Sequence, residues 1–106
     1  MNNIRPPMSA TDDVLTEVLV ERARQKGKWG EQDHRPEIWL TILGEEVGEA
    51  NRAALEAWAV LSAGDTRGKW LVWMRRLREE LVQVAAVAVA AVESLDRNEL
   101  GGGDNA

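Results

Sequence analysis

The chain has 106 residues, carries a formal net charge of −5 and contains no cysteine. This length is typical of one domain with a single core. The excess of acidic residues argues against binding to nucleic acid or to an anionic membrane, so we expect neither partner. The lack of cysteine excludes disulfides and thiolate chemistry. Because the first ten residues lack the apolar core of a signal peptide, we predict a cytoplasmic protein.

The spacing of apolar residues predicts a first helix after a short arm. Residues 1–10 show no periodic apolar pattern and are predicted to form a flexible N-terminal arm. Thr11 is predicted as the N-cap of the helix, which runs to about Lys26. Gly27 and Gly30 are predicted to end it, because glycine interrupts helices.

Two longer helices follow, and no segment has the alternating pattern of a strand. The second is predicted over about 37–61, with Pro36 near its first position, where proline is tolerated. The third is predicted over about 69–96. We therefore expect one all-α domain over residues 11–97 and a disordered tail over residues 98–106.

The third helix is apolar on nearly all sides between Leu81 and Val92, with only Gln83 interrupting the run. This run is too short to span a bilayer, so it predicts a buried helix and no membrane partner. One neighbouring helix cannot cover such a surface. We predict a helical bundle that is completed by homo-oligomerisation, as a dimer or a tetramer. The following tryptophans are interpreted as core or subunit-interface residues: Trp39, Trp58, Trp70 and Trp73.

The second and third helices resemble each other in sequence. When Trp39 is aligned with Trp73, the acidic pair 45–46 falls on the acidic pair 79–80. The alignment suggests an internal repeat that places carboxylates at the same point of two apolar stripes.

Four oxygen-bearing side chains are predicted to converge where the two helices pack. Glu46 lies within the apolar stripe of its helix and Glu49 at its edge, and Glu80 and Gln83 repeat these positions. Carbonyl and carboxylate oxygens suit hard ions such as Mg²⁺ or Mn²⁺. The alternative is that these are solvated glutamates with Lys or Arg partners. The basic cluster 75–78 is interpreted as a solvated face or as counter-charge to nearby glutamates.

The stretches "LGEEVGEA" (43–50) and "LREELVQVAAVAVA" (77–90) resemble the MazG-like nucleotide pyrophosphohydrolases. These all-α proteins carry E–E–x–x–E on one helix and E–x–x–D on the next. The stretch "RQKGKWGEQ" (24–32) resembles the lead-in of compact, often phage-encoded members. The resemblance covers roughly residues 17–97. It implies Mg²⁺-dependent hydrolysis of a nucleoside triphosphate to the monophosphate and pyrophosphate, and assembly into dimers or tetramers.

The resemblance also implies a role for each motif residue. Glu46 and Glu49 match the first pair of metal ligands, and Glu80 matches the first ligand of the second motif. Glu45 matches a carboxylate that ligates metal or orients the attacking water, which makes it the candidate catalytic residue. Gln83 stands where the family has Asp, and it offers an oxygen without a charge.

The loop before the second helix contains candidate substrate-binding residues. Lys28 is expected to meet phosphate and Trp29 to stack on a base. The alternative is a solvated loop anchored by Trp29. For the whole chain, the alternative to a pyrophosphohydrolase is a non-catalytic helical oligomer or nucleotide-binding module, in which Gln83 marks lost chemistry.

Overall fold

The structure is a computed structural model that describes residues 9–65 and 67–101. Within these residues the chain forms three α-helices and no strand, so the prediction of an all-α fold is confirmed. The helices are α1 (Ala10–Trp29), α2 (Pro36–Ser62) and α3 (Lys69–Asn98). Most of the predicted arm (residues 1–8) and most of the predicted tail (residues 102–106) lie outside the described part.

The N-cap of helix α1 lies two residues before Thr11, so the predicted N-cap is wrong. Ser9 is the N-cap: its hydroxyl accepts the backbone N–H of Asp12 at 3.1 Å. The carboxylate of Asp12 accepts the backbone N–H of Ser9 at 3.2 Å. This reciprocal capping box satisfies two donors at the helix start, whereas Thr11 lies inside the first turn.

Helix α1 also continues through Gly27, which was predicted to help end it. A glycine in a helix interior costs only about 1 kcal/mol relative to alanine, and here the helix extends over it. The helix stops at Gly30, whose φ of 77° lies in the region that favours glycine. The Gly30 N–H donates to the carbonyl of Lys26 at 2.7 Å. Trp29 is therefore the last helical residue.

Helices α2 and α3 form an antiparallel hairpin whose core is small. Pro36 is the first residue of α2, as predicted, and α3 ends two residues beyond the predicted boundary. The buried core cluster contains Trp39 of α2 with Val87 and Ala90 of α3. Farther along α2, alanines take the buried positions, which lets the two backbones approach closely. These alanines are Ala50, Ala53 and Ala57.

Helix α1 packs mainly against α3, and ion pairs tie the two together. Arg22 donates to Glu93 at 2.8 Å, and Arg78 donates to Glu17 at 2.6 Å. The chain stays open: its radius of gyration is 18.1 Å and its extents are 59 × 51 × 21 Å. A compact chain of this size would have a radius of gyration of about 13 Å. The three helices thus form a flat plate with one thin dimension.

One side of the hairpin is apolar and exposed, and we call it the open face. On α2 and on α3 its residues have the same spacing, which keeps them on one side of each helix. Equivalent positions of two antiparallel helices lie on the same side of the pair. The open face consists of Val47, Leu55, Trp58, Leu81, Val89 and Val92. Within the described residues, no helix has both the length and the apolar character that crossing a membrane requires.

Candidate metal centre

The hairpin brings together three of the four predicted metal ligands. Glu46 and Glu49 lie one turn apart on α2, and Glu80 faces them from α3. One carboxylate oxygen from each lies within 4.8 Å of the other two. The two helices pack through the stripes that carry these residues, and this packing brings the three carboxylates together. We call these three residues the acidic cluster.

Glu80 is the least solvated member of the acidic cluster, with only 3 % of its surface exposed. Its Oε2 accepts a hydrogen bond from the Arg76 Nε at 2.9 Å. Its Oε1 is buried and has no hydrogen-bond partner among the described residues. A buried carboxylate oxygen left without a donor or a cation is unfavourable by about 1–3 kcal/mol or more. The vacant lone pairs of Oε1 therefore fit a bound cation, and an oxygen-only set fits a hard one.

The surroundings of Glu46 are electrostatically unfavourable to a third negative charge. Burial raises the pKa of Glu46 above its ordinary value of 4.5, and the charges of Glu49 and Glu80 raise the pKa further. Smaller contributions come from Glu21 and Glu45. Within the described residues, neither Glu46 nor Glu49 forms an ion pair. The sequence alone left open that these glutamates have Lys or Arg partners. Among the described residues, such a partner is present for one oxygen of Glu80 only.

Gln83 lies one turn beyond Glu80 on α3 and is partly buried. It lines a groove between α3 and α1, together with Glu17 and Glu21. The structure therefore places Gln83 beside the acidic cluster, on the side that faces α1. Its role as a metal ligand stays a prediction.

Glu45 is exposed on α2 and lies next to Glu46 in the chain. It is not part of the acidic cluster, and its charge makes the smallest contribution to the raised pKa of Glu46. An exposed carboxylate beside a metal site can exchange protons with solvent. Its catalytic role stays a prediction.

A cavity of ≈ 210 Å³ adjoins the acidic cluster at the end where α1 meets the hairpin. Its wall includes Glu46, Trp29 and Trp39, so one predicted substrate-binding residue shares a cavity with a predicted ligand. The Lys28 Nζ lies 4.8 Å from the ring centroid of Trp29, a cation–π contact. The Trp39 Nε1 is buried without a partner among the described residues. Two glutamine side chains also line the cavity: Gln25 and Gln32.

Two residues of the site were not singled out from the sequence. Arg76 precedes Glu80 by one helical turn, so the neighbour rule for helices could have predicted their ion pair. The interpretation of cluster 75–78 as counter-charge predicted an ion pair with a nearby glutamate, but it did not identify Arg76 and Glu80 as the two partners. Glu21 acts on Glu46 from α1, and only the packing of α1 on the hairpin reveals this.

Comparisons with known proteins add no relative to this picture. No family model, no curated protein and no solved structure matches the chain. The resemblance to MazG-like pyrophosphohydrolases thus rests on the short motifs around Glu46 and Glu80, and membership of that family is a proposal.

Proposed function

We propose that the chain is a Mg²⁺-dependent nucleoside triphosphate pyrophosphohydrolase of the MazG-like type. The observation that carries the proposal is the acidic cluster, in which Glu80 Oε1 is buried without a partner. Three carboxylates on rigid helices hold a cation more firmly than loop residues would. A hard divalent ion is the cation that such oxygens prefer, and Mn²⁺ is the expected substitute.

Each residue of the site has a task in this reaction. Glu46, Glu49 and Glu80 hold the cation, which when bound draws charge from the phosphate oxygens. Glu45 takes a proton from a water whose oxygen bonds to the α-phosphorus. The bond from the α-phosphorus to the bridging oxygen breaks, and pyrophosphate leaves with the electron pair. Gln83 can orient water or phosphate through its amide, but it adds no charge.

The cavity beside Glu46 is the proposed site for the nucleoside. Trp29 and Trp39 give it aromatic walls, and stacking on an aromatic ring contributes about 1–3 kcal/mol per base. The amides of Gln25 and Gln32 line the cavity and can bond to the edge of a base or to a sugar hydroxyl. Lys28, held over the Trp29 ring, adds positive charge at the rim.

The second candidate function is a non-catalytic helical oligomer or nucleotide-binding module. The ion pair between Arg76 and Glu80 favours it, since a guanidinium already neutralises part of the acidic cluster. Gln83 favours it too, because the missing charge weakens the hold on a second ion. This candidate predicts nucleotide binding without turnover.

We propose further that two copies pack through their open faces. The open face holds large apolar side chains, with Trp58 67 % exposed and Leu55 58 % exposed. Exposed apolar surface on this scale marks an interface. Two hairpins packed through these faces form a four-helix bundle, which also explains the flat shape of the single chain. The neighbouring copy would supply the cover that the short core lacks.

A substrate screen tests the enzymatic proposal. The purified protein is incubated with Mg²⁺ and a panel of canonical and modified nucleoside triphosphates, and released monophosphate and pyrophosphate are quantified. The proposal expects equal amounts of both products from at least one substrate, and none after EDTA treatment. Glu46→Gln is the matched control, since it keeps the side-chain shape but removes a proposed ligand. Binding of a nucleotide with no turnover across the panel would instead support the non-catalytic module.

A further inference from the structure

A second recess adjoins the acidic cluster. It lies on the other side from the cavity lined by Trp29 and Glu46, which we call the nucleoside cavity. It is a groove of ≈ 530 Å³ between the C-terminal half of α2 and the N-terminal half of α3. Glu49 and Glu80 form one end of its wall, and Trp73 forms part of its side. Two arginines also line it, Arg52 from α2 and Arg76 from α3. We call this recess the arginine groove.

Arg76 reaches from the arginine groove to the acidic cluster. Its Nε donates to Glu80 Oε2 at 2.9 Å, while 57 % of its side chain is exposed. A guanidinium has five N–H donors in a fixed fork, so the contact with Glu80 uses only part of its capacity. The remaining donors are available to an anion in the groove while the Nε still holds the carboxylate in place.

Arg52 stands one turn after Glu49 on α2 and is exposed. Across residues 9–65 and 67–101, no carboxylate lies within ion-pair distance of Arg52. The groove therefore combines one guanidinium that is partly engaged with one that has no counter-charge in this part of the chain. Planar guanidinium groups bind phosphate oxygens in a bidentate manner, which lysine cannot do.

The two recesses differ in the side chains that line them, and the acidic cluster lies between them. The nucleoside cavity is lined by tryptophan and glutamine, and its one arginine, Arg22, is already paired with Glu93. The arginine groove is lined by two arginines, Arg52 and Arg76. A nucleoside triphosphate has the same asymmetry, with a stacking base at one end and an anionic tail at the other.

We propose that Arg52 and Arg76 bind the terminal phosphates of the substrate, so that the departing pyrophosphate occupies the arginine groove and the nucleoside points towards Trp29. The assignment deepens the pyrophosphohydrolase proposal and rests on it for the identity of the anion. It makes Arg76 a positioning residue for Glu80 as well as a contact for phosphate. This assignment also fixes the orientation of the substrate on the hairpin, with the phosphates in the arginine groove and the nucleoside at the other end.

Calorimetric titration tests the assignment without any need for turnover. Mg²⁺ alone and inorganic pyrophosphate with saturating Mg²⁺ are titrated into the parent protein and into Arg52→Gln, Arg76→Gln and Arg76→Lys. Arg75→Gln is the matched control, because Arg75 is an exposed neighbour on α3 that lies outside the groove wall. A thermal melt of each variant confirms that it folds.

We expect the arginine substitutions to weaken the binding of pyrophosphate but not the binding of Mg²⁺ alone. Loss of either arginine should weaken pyrophosphate binding about tenfold or more, since one charge-assisted contact contributes roughly 1.5–3 kcal/mol. Binding of Mg²⁺ alone should be unchanged or tighter, because a positive charge beside the carboxylates has been removed. Arg76→Lys should lie between Arg76→Gln and the parent. Arg75→Gln should match the parent for both ligands.

Other results would overturn the assignment. Pyrophosphate that binds Arg52→Gln and Arg76→Gln as tightly as the parent does, or that fails to bind the parent, removes the role in phosphate binding. Weaker binding of both ligands, together with a lower melting temperature, would show that the arginines only support the fold. The outcome for the enzyme is separate: arginine-dependent binding of pyrophosphate without cleavage of any triphosphate would retain the groove and reject the pyrophosphohydrolase.

Discussion

The two sides of the α2–α3 hairpin differ in what they lack. One side carries the acidic cluster, where Glu46 and Glu80 are drawn out of water without enough positive charge. The other is the open face, where Val47 and Leu81 are about half exposed. Glu46 and Val47 are consecutive residues, as are Glu80 and Leu81, so one step along each helix separates a partly or fully buried carboxylate from an exposed apolar side chain.

This difference teaches that each side of the hairpin has its own deficit: the acidic cluster lacks positive charge, and the open face lacks apolar cover. Buried carboxylates are stabilised by a cation, whereas exposed leucine and tryptophan are stabilised by another apolar surface. Under the two proposals the deficits are removed independently, the first by Mg²⁺ and the second by another copy of the chain. Experiments can therefore address each side without disturbing the other.

The largest effect is expected on the open face, from Leu55→Glu. A glutamate there would be buried without a partner in each copy of an assembled bundle, which costs about 3 kcal/mol or more and weakens association at least roughly a hundredfold. The parent should be a dimer or a tetramer by light scattering at micromolar concentration, and Leu55→Glu should be a monomer.

Leu15→Glu is the matched control for this change. Leu15 on α1 is 59 % exposed and Leu55 is 58 % exposed, so the two substitutions differ in place rather than in burial. A monomeric parent would contradict the oligomer. Dissociation by Leu15→Glu but not by Leu55→Glu would move the interface from the open face to α1.

The next effect concerns the acidic cluster, through Glu46→Gln. An ion that binds only the folded parent should stabilise it by about 2.7 kcal/mol when its concentration is a hundredfold above the dissociation constant. Glu46→Gln should be more stable than the parent without metal, since it removes one of three repelling charges. It should show no melting-temperature shift with Mg²⁺ and no hydrolysis. Identical melts of the parent with and without Mg²⁺ would identify the three carboxylates as ordinary helix glutamates.

A smaller effect of opposite sign is expected from Gln83→Asp. The new carboxylate should tighten Mg²⁺ binding about tenfold and lower stability without metal, because it adds a charge near the acidic cluster. Turnover should rise if the enzymatic proposal holds. The measurements are calorimetric titration with Mg²⁺ and the product assay. Unchanged Mg²⁺ affinity would show that position 83 belongs to the groove beside α1 and not to the metal site.

The smallest effect is a pH dependence of the metal-free protein. The pKa of Glu46 is raised above 4.5 in the folded chain, whereas in the unfolded chain it keeps its ordinary value of 4.5. At a pH between the ordinary and the raised pKa, the folded chain therefore binds more protons than the unfolded chain. This contribution to stability is therefore gained as the pH falls through the raised pKa, and it is lost as the pH rises. The stability advantage of Glu46→Gln over the parent should be largest above that pKa and should shrink towards pH 4.5. Urea melts at several pH values measure it, and an advantage that is constant with pH would contradict the raised pKa.

The sequence predicted the helices well because their signals are local. Pro36 marks the start of α2 as expected, and α3 begins at Lys69 as predicted. The errors concern positions where two local signals compete. Ser9 and Thr11 are both good caps, and only Ser9 has a carboxylate three residues later to complete the capping box. At the end of α1, Gly27 could be either an interior residue or a stop.

The acidic cluster could also be predicted, since two helices that pack through their apolar stripes bring the residues on those stripes together. The charged neighbours of the acidic cluster could not be predicted in full. The ion pair of Arg76 with Glu80 could be predicted from their spacing of four residues on one helix. The position of Glu21 could not, because it depends on where α1 crosses the hairpin. Cytoplasmic localisation and the roles of Glu45 and Gln83 stay predictions.

By itself, the sequence determined three helices and the apolar stripes on which Glu46, Glu49 and Glu80 lie, because helical periodicity fixes which residues share a side. Only the tertiary structure decided that Glu80 Oε1 is buried without a partner and that Arg76 holds the other oxygen. It alone placed a recess with tryptophan and glutamine walls on one side of the acidic cluster and a recess lined by Arg52 and Arg76 on the other. The physical reason is that burial and electrostatic neutralisation depend on side chains from separate helices, and their distances are set only when the helices pack.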